Sequence, residues 1–336
     1  MATTGESPCG AWPCGSKSPS RRQARLKFPN GPFLNRSKNR VKVTSHPTLI
    51  LGFPDYREQA QRLASAAGLD YAEVEIHRFP DGESRVRLPA GLGERVILCR
   101  SLDHPNDKLI ELALTAAAAR ELGARHLTLV APYLCYMRQD KAFRPGEAIS
   151  QPIIGQLLAD WVEELVTVDP HLHRVPRLEE AIPVKRAHCL TAAPLMADFL
   201  ARELENPFLI GPDEEARQWV SAIAAHTDLD YRVGAKERHG DREVEVHFPD
   251  PPPPGRHLVL VDDVASTGHT LEQAVAALAP TQPASLSVLV THALFLEGTL
   301  ERLRQAGVTH IWSTDSIPHP SNRLELAPLL AGALPL

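Results

Sequence analysis

No apolar run in this chain approaches the roughly eighteen residues that a membrane-spanning helix needs, so no membrane partner is expected. Cysteine is scarce. The five thiols (Cys9, Cys14, Cys99, Cys135 and Cys189) are odd in number and lack the spacing of a disulfide framework. That excludes a stapled secreted scaffold and points to a reducing, cytoplasmic compartment. Cys9 and Cys14 have no second pair of ligands nearby and do not read as a metal site. A large charge excess is missing too: 36 Lys and Arg stand against 41 Asp and Glu, a net charge of −5. Nucleic acid is therefore not an expected partner, because a phosphate backbone is held mainly by clustered cations.

What is present fits an ordinary globular chain: 336 residues, 43% apolar and 23% charged. Such a length suits two domains. Residues 1–45 stand apart. They carry Lys17, Arg21, Arg22, Arg25, Lys27, Arg36, Lys38, Arg40 and Lys42 against one acid, Glu6, and show no apolar periodicity. Such a segment buries too little surface to offset its ordering entropy, so a disordered basic extension is expected. Its Arg- and Ser-rich, acid-poor composition is also that of an organellar transit peptide, the less favoured reading.

From Pro47 onward short apolar runs alternate with helical patterns. The expected strands are Thr48–Gly52, Ala72–Ile76, Arg95–Cys99, His126–Val130, Leu165–Val168, Phe208–Ile210, His257–Val261, Leu286–Val290 and Val308–Trp312. Helices are expected over Tyr56–Ala67, Asp107–Leu122, Ile153–Glu164, Leu271–Leu278 and Glu297–Gln305, the first two closed by Gly68 and Gly123. Asp81-Gly82 signals a hairpin. Strands alternating with helices of this length imply βαβ units and largely parallel sheets, whose ligands bind beyond the carboxyl ends of the strands. The expected division is 46–187, 188–313 and a carboxyl-terminal segment 314–336 that packs back on the first domain.

The most informative stretch runs from His257 to Thr270. An apolar strand delivers Asp262 and Asp263, then the turn Ser266-Thr267-Gly268-His269-Thr270 opens a helix. Carboxylates accept hydrogen bonds from vicinal sugar hydroxyls. Hydroxyls and backbone N–H groups at a helix N-terminus suit a 5-phosphate. A capped helix after an acidic turn is the bland alternative. The combination resembles the phosphoribosyl-binding loop of type I phosphoribosyltransferases and their relatives, although His269 stands where relatives carry a small residue.

Upstream motifs narrow the family. Phe79-Pro80-Asp81-Gly82-Glu83, Pro132 to Lys141, Val168-Asp169-Pro170-His171, Gly211-Pro212-Asp213 and Lys236-Glu237-Arg238 occur in that order. Together they resemble the ribose-phosphate pyrophosphokinase family, with Asn106, Glu111, Thr291-His292 and Ser316-Ile317 as weaker matches. The resemblance runs from about Thr48 to the end of the chain. It implies an α/β fold of two similar phosphoribosyltransferase-like domains, each with a largely parallel sheet flanked by helices. Phe79, Asp81, Glu83, Arg138 and Gln139 would take ATP, and His171 and Asp213 would hold Mg²⁺. Asp262, Asp263, Ser266, Thr267, Gly268 and Thr270 would take ribose 5-phosphate. Lys236 and Arg238 would be catalytic, on a segment mobile without substrates, since Asp228–Arg242 is polar and has few packing anchors. Asp140 and Lys141 close the same motif, with a solvated surface pair as the alternative reading, and His173 has no family counterpart.

One departure concerns Glu214-Glu215-Ala216, where the family has small residues; two carboxylates there would repel anions unless turned away. The implied reaction moves the diphosphoryl group of ATP to the anomeric hydroxyl of ribose 5-phosphate in a homo-oligomeric enzyme. The rival readings are a phosphoribosyltransferase, a non-catalytic regulatory homologue and the same chemistry on another sugar phosphate.

Overall fold

The first sheet is assembled from short apolar segments that turn over at glycine or at a polar cap. In this computed structural model, which describes residues 48–172, 174–238 and 244–335, β1 (Leu49–Gly52) feeds helix α1 (Arg57–Ala67). Gly68 ends α1 at φ 63°, a left-handed conformation that only glycine adopts without strain. The segment expected as one strand over 72–76 divides at Val74 into β2 (Asp70–Glu73), which pairs with β1, and β3 (Glu75–Arg78). A hairpin joins β3 to β4 (Ser84–Arg87), with Gly82 at φ 93° in its turn. Then come β5 (Arg95–Cys99), α2 (Pro105–Glu121), β6 (His126–Val130), α3 (Ser150–Trp161), β7 (Glu164–Val168), α4 (Leu178–Ala181) and β8 (Arg186–Leu190).

The second half opens with α5 (Ala193–Glu203), β9 (Phe208–Gly211), α6 (Arg217–Thr227) and β10 (Tyr231–Val233). A second hairpin, β11 (Ala235–Arg238) with β12 (Val244–His247), precedes β13 (His257–Ala265) and α7 (His269–Leu278). The chain closes with β14 (Ser285–Ala293), α8 (Thr299–Gln305), β15 (His310–Thr314), β16 (Asn322–Leu324) and α9 (Ala327–Ala331).

The order of the first sheet is β2-β1-β5-β6-β7-β8, and that of the second is β10-β9-β13-β14-β15-β16. All their pairings are parallel. The second order repeats the first with every strand number raised by eight, so the chain is an internal duplication. The repeat is visible in residues: Gly68-Leu69-Asp70-Tyr71 is matched by Asp228-Leu229-Asp230-Tyr231, and Ala193-Pro194-Leu195 by Ala327-Pro328-Leu329. Asp228 takes the left-handed cap of Gly68, at φ 56°.

Each half also completes the other. Helix α5 follows the first sheet yet packs on α6, while α9 follows the second sheet and packs on α1. One shared core results, with Tyr56 and Leu63 beside Met196, Phe199, Trp219, Ile223 and Leu330. The Tyr56 hydroxyl donates to Asp315 O at 2.9 Å, and Arg62 pairs with the Asp315 carboxylate at 2.9 Å. Strand β8 crosses the expected cut at 187/188 and pairs wholly with the first sheet, because its partner β7 ends at Val168 opposite Leu190. The segment from 314 adds β16 to the second sheet before α9 reaches the first half.

Other boundaries shift for physical reasons. Strands β13 and β14 run on past Val261 and Val290 because their polar ends remain paired with each other. Tyr231–Val233 pairs with β9, so the segment from Asp228 is anchored at its start rather than loose. The basic extension, with Cys9 and Cys14, and His173 lie outside the described residues. Among the described residues no helix is long and apolar enough to cross a membrane.

Candidate active site

The carboxyl ends of both sheets meet at one place. Beyond β7, His171 Nδ1 lies 2.7 Å from Asp263 Oδ2, which joins the first half to the Asp262–Thr270 segment of the second. The Asp263 side chain is only 4% exposed. Burial works to raise its pKa, but the hydrogen bond and charge of His171 outweigh that and hold the carboxyl below its ordinary value. Asp262 goes the other way: burial first, then the Asp263 and Asp213 carboxylates, push it well above the usual range. The two adjacent acids are thus unequal, one stabilised as the anion and the other disfavouring charge.

Asp213 sits beyond β9 as the cap of the next turn. Its Oδ1 accepts from the N–H groups of Glu215 and Ala216 at 3.0 and 3.2 Å, while Oδ2 pairs with Lys236 Nζ. Lys236 reaches it from β11, and Gly234 makes the approach possible: a Cβ there would stand 2.6 Å from Pro212 O. The backbone of Arg238 lies in the same strand, whereas its side chain is outside the described set. Glu214 turns outward to Arg217, with Oε2 2.8 Å from the guanidinium, so this carboxylate is engaged away from Asp213.

The turn after β13 is braced from behind. Gly268 has φ 77°, and a Cβ at that point would come within 2.5 Å of the Thr299 methyl. Thr267 O accepts from Arg302 at 2.7 Å and from the Thr299 hydroxyl at 3.3 Å. Arg302 is itself held by Glu272 at 2.8 Å. The carbonyls of Ser266 and Thr267 are therefore tied to α8, and Thr270 lies in the first turn of α7, where N–H groups suit an anion. His269 is exposed at the start of that helix.

On the first half, buried Tyr133, Leu134, Cys135 and Met137 anchor the segment that presents Arg138. Gln139 O accepts from Gln151 N at 3.2 Å, fixing the segment to α3. Burial pushes the Tyr133 hydroxyl up to about 12, with the Arg138 charge opposing and Cys135, Asp103 and Asp263 adding. Asp140 lies 3.9 Å from Arg174, and the Lys141 ammonium 4.9 Å from the centre of the Phe143 ring.

Phe79, Asp81 and Glu83 form the turn of the first hairpin. Asp81 Oδ1 accepts from Glu83 N at 3.2 Å, and Phe79 is 40% exposed. This hairpin leans on α2, where Arg78 and Ser84 reach Glu111 at 3.2 and 3.0 Å. The structure therefore unites His171, Asp213, Lys236, Asp262 and Asp263 and anchors the hairpin on α2.

Residues 48–161 match the model of the N-terminal domain of ribose phosphate pyrophosphokinase, and residues 191–317 match the phosphoribosyl transferase domain. A ribose-phosphate pyrophosphokinase of Methanopyrus kandleri is 34% identical over 85% of this chain and 98% of its own. The chain belongs to the ribose-phosphate pyrophosphokinase family. A second member, from Thermococcus kodakarensis, is 35% identical over 79% of this chain and 92% of its own. The crystal structure of phosphoribosylpyrophosphate synthetase from Mycobacterium smegmatis superposes with a TM-score of 0.74 at 22% identity, covering 85% of this chain and 97% of that one. This likeness shows that the two structures share the two-sheet fold.

Several contacts around this pyrophosphokinase-family site escaped motif reasoning, some of them made by Glu111, Asp169 and His292, which lie within the motifs themselves. Thr299 and Arg302 lie some thirty positions beyond the loop they brace. Arg100, 2% exposed, joins Glu111, Asp55 and the Phe53 ring into a buried charge network beneath the hairpin. A lone Arg after a strand carries no such signal. Asp169 is buried and accepts from Ala192 N and the Thr291 hydroxyl, each at 3.0 Å. His292 is also buried, and burial lowers its pKa, so the ring is neutral near pH 7.

Proposed function

We propose that this enzyme transfers the diphosphoryl group of ATP to the anomeric hydroxyl of ribose 5-phosphate, giving phosphoribosyl pyrophosphate and AMP. The observation that carries this reading is the contact of His171 with Asp263, which joins a first-half metal position to a second-half sugar loop. Asp262 and Asp263 accept from the sugar hydroxyls, while the Ser266–Thr270 turn and the start of α7 take the 5-phosphate. Arg138 and Gln139 face the ATP phosphates, and the hairpin turn with Phe79, Asp81 and Glu83 takes adenine.

His171 and Asp213 fit Mg²⁺. Among the described residues no cluster of three or more His, Cys, Asp or Glu forms a full protein cage. Mg²⁺ keeps several waters and shares its sphere with substrate phosphates, so two protein contacts suit it. Asp263 on His171 Nδ1 orients the ring as a carboxylate partner orients a metal-binding imidazole. When bound, the ion neutralises phosphate charge and orients the transferred group. Lys236, with Arg238 from the same strand, brings cationic charge to the diphosphoryl group, where it is most needed in the transition state.

Two further attributes belong to this reading. Helix α2 exposes Ile110 at 61% and Leu114 at 42%, one turn apart, on a helix that is apolar around much of its circumference. Such a helix is ordinarily covered, and a second copy of the chain is the proposed cover. Cys99, Cys135 and Cys189 are free thiols, which suits the cytoplasm. The test of the activity is to mix protein, ATP, Mg²⁺ and ribose 5-phosphate. AMP and phosphoribosyl pyrophosphate in equal amounts support the reading; release of diphosphate from added phosphoribosyl pyrophosphate in the presence of a base would support a phosphoribosyltransferase instead.

A further inference from the structure

The turn that carries His171 has an unusual backbone. Asp169 has φ 39°, a left-handed conformation that a residue with a Cβ adopts only at a cost. The internal duplication supplies a comparison within the same molecule. Asp315 follows β15 as Asp169 follows β7, and each donates its own N–H to the neighbouring strand, to Leu324 O and Leu190 O, both at 2.9 Å. Each carboxylate also caps the segment after that strand, accepting from Leu326 N at 2.8 Å and from Ala192 N at 3.0 Å. Asp315 nonetheless does not share the left-handed φ of Asp169. Something specific to the first copy bends its turn.

The second half supplies that cause. His292 Nε2 stands 3.1 Å from Val168 O and 3.2 Å from Asp169 O. Successive carbonyls of an extended strand point to opposite sides, so two that converge on one N–H require a twist between them, and Asp169 supplies it. His292 Nδ1 is 2.9 Å from the Ser316 hydroxyl, which fixes the ring from its other edge. The neighbouring Thr291 hydroxyl holds the Asp169 carboxylate. Tyr133 packs edge-on against the imidazole, with ring centres 5.0 Å apart. On its other side the turn is tied to Leu190 and Ala192, and Asp169, Pro170 and Leu172 line a cavity of about 460 Å³ shared with Trp219 and Cys189.

We propose that Thr291 and His292 are positioning residues: by clasping the Val168–Asp169 backbone from the second half, they hold the Asp169-Pro170-His171 turn in the shape that aims His171 at Asp263. They act on the backbone of that turn, and through it on His171; His292 also lies in the strand paired with Val264, next to Asp263. The metal part of the consequence rests on the function proposed above, whereas the backbone part stands without it.

The test uses the full chain and reads amide hydrogen exchange over residues 164–172, which needs no metal or substrate. His292→Phe keeps an aromatic ring and removes the N–H, and Thr291→Val replaces the hydroxyl by a methyl group of similar size. Both should speed exchange in that segment by roughly 10-fold or more relative to the rest of the sheet, and Thr291→Ser should restore it. In the same variants Mn²⁺ affinity, read by electron paramagnetic resonance, should fall roughly 10- to 100-fold, the range for lost partners of a metal-binding imidazole. Wild-type exchange over 164–172 in Thr291→Val and His292→Phe would overturn the proposal, and so would a uniform rise across the sheet. Should His292→Phe fail to fold, the Thr291→Val and Thr291→Ser pair decides. His171→Ala serves as the separate control: wild-type Mn²⁺ affinity in that variant contradicts the metal reading and leaves the exchange result to judge the clasp.

Discussion

Replacing Glu111 by Gln tests the buried network that supports the hairpin. The Glu111 side chain is fully buried, with Oε2 2.7 Å from an Arg100 guanidinium that is itself 2% exposed. Oε1 takes Arg78 and Ser84 from the hairpin. The substitution keeps the shape and removes the charge. Removing one partner of a buried ion pair costs about 3–5 kcal/mol, because the other charge stays behind uncompensated. Asp55 remains 3.0 Å from Arg100 and offsets part of this, which places the expected loss at the lower end, about 3 kcal/mol. At roughly 2–4 °C per kcal/mol for units of this size, Tm should fall by roughly 6–12 °C in a calorimetric scan. The double variant Arg100→Met with Glu111→Met should be less destabilised than Glu111→Gln alone, since no charge is then left unpaired. The ATP KM of Glu111→Gln should rise while the ribose 5-phosphate KM holds, because the hairpin loses its anchor and the sugar loop does not. A Tm within about 2 °C of wild type would refute the claim that this network carries a full buried-pair penalty.

Three further outcomes follow from the site. Lys236→Ala and Arg238→Ala should each lower kcat by roughly two to four powers of ten with little change in either KM, as for other lost transition-state cations; near-normal kcat in both would remove this strand from the chemistry. Asp262→Ala should mainly raise the ribose 5-phosphate KM, whereas Asp263→Ala should also reduce kcat, because Asp263 holds His171; identical KM and kcat profiles for the two would contradict their separate environments. Asp55 has a lowered pKa: burial opposes it, but Arg100 and Lys108 prevail. Its contribution is present above the ordinary carboxylate range and lost as pH falls through the lowered value, so Asp55→Asn should flatten the acid limb of Tm against pH. An unchanged acid limb would count against that ion pair.

Much of this architecture was legible because short apolar strands and glycine-capped helices are local signals. The strands Arg95–Cys99 and His126–Val130 fall where their patterns place them. The acids 262 and 263 were expected after a strand and lie within one, since pairing with β14 and not hydropathy sets its end. The reciprocal exchange of α5 and α9 carries no local sign, because an apolar helix face does not say which half it covers. The repeat itself was readable, through Gly68-Leu69-Asp70-Tyr71 and Asp228-Leu229-Asp230-Tyr231, but only by aligning the chain with itself. His171, Asp213 and the paired acids Asp262 and Asp263 came from motifs in register. The groups that brace them, Thr299, Arg302, Thr291 and His292, are joined by contacts distant in sequence, which no spacing rule encodes.

The central claim is transfer of a diphosphoryl group as one unit between two substrates held on opposite halves. Phosphorus NMR of a reaction with ATP labelled at both the β and γ phosphates tests it most directly. The account predicts that both labels appear together on the anomeric position of the sugar phosphate and that the AMP formed carries neither. A β label retained in ADP, with only the γ label transferred, would show an ordinary phosphoryl kinase and contradict the account.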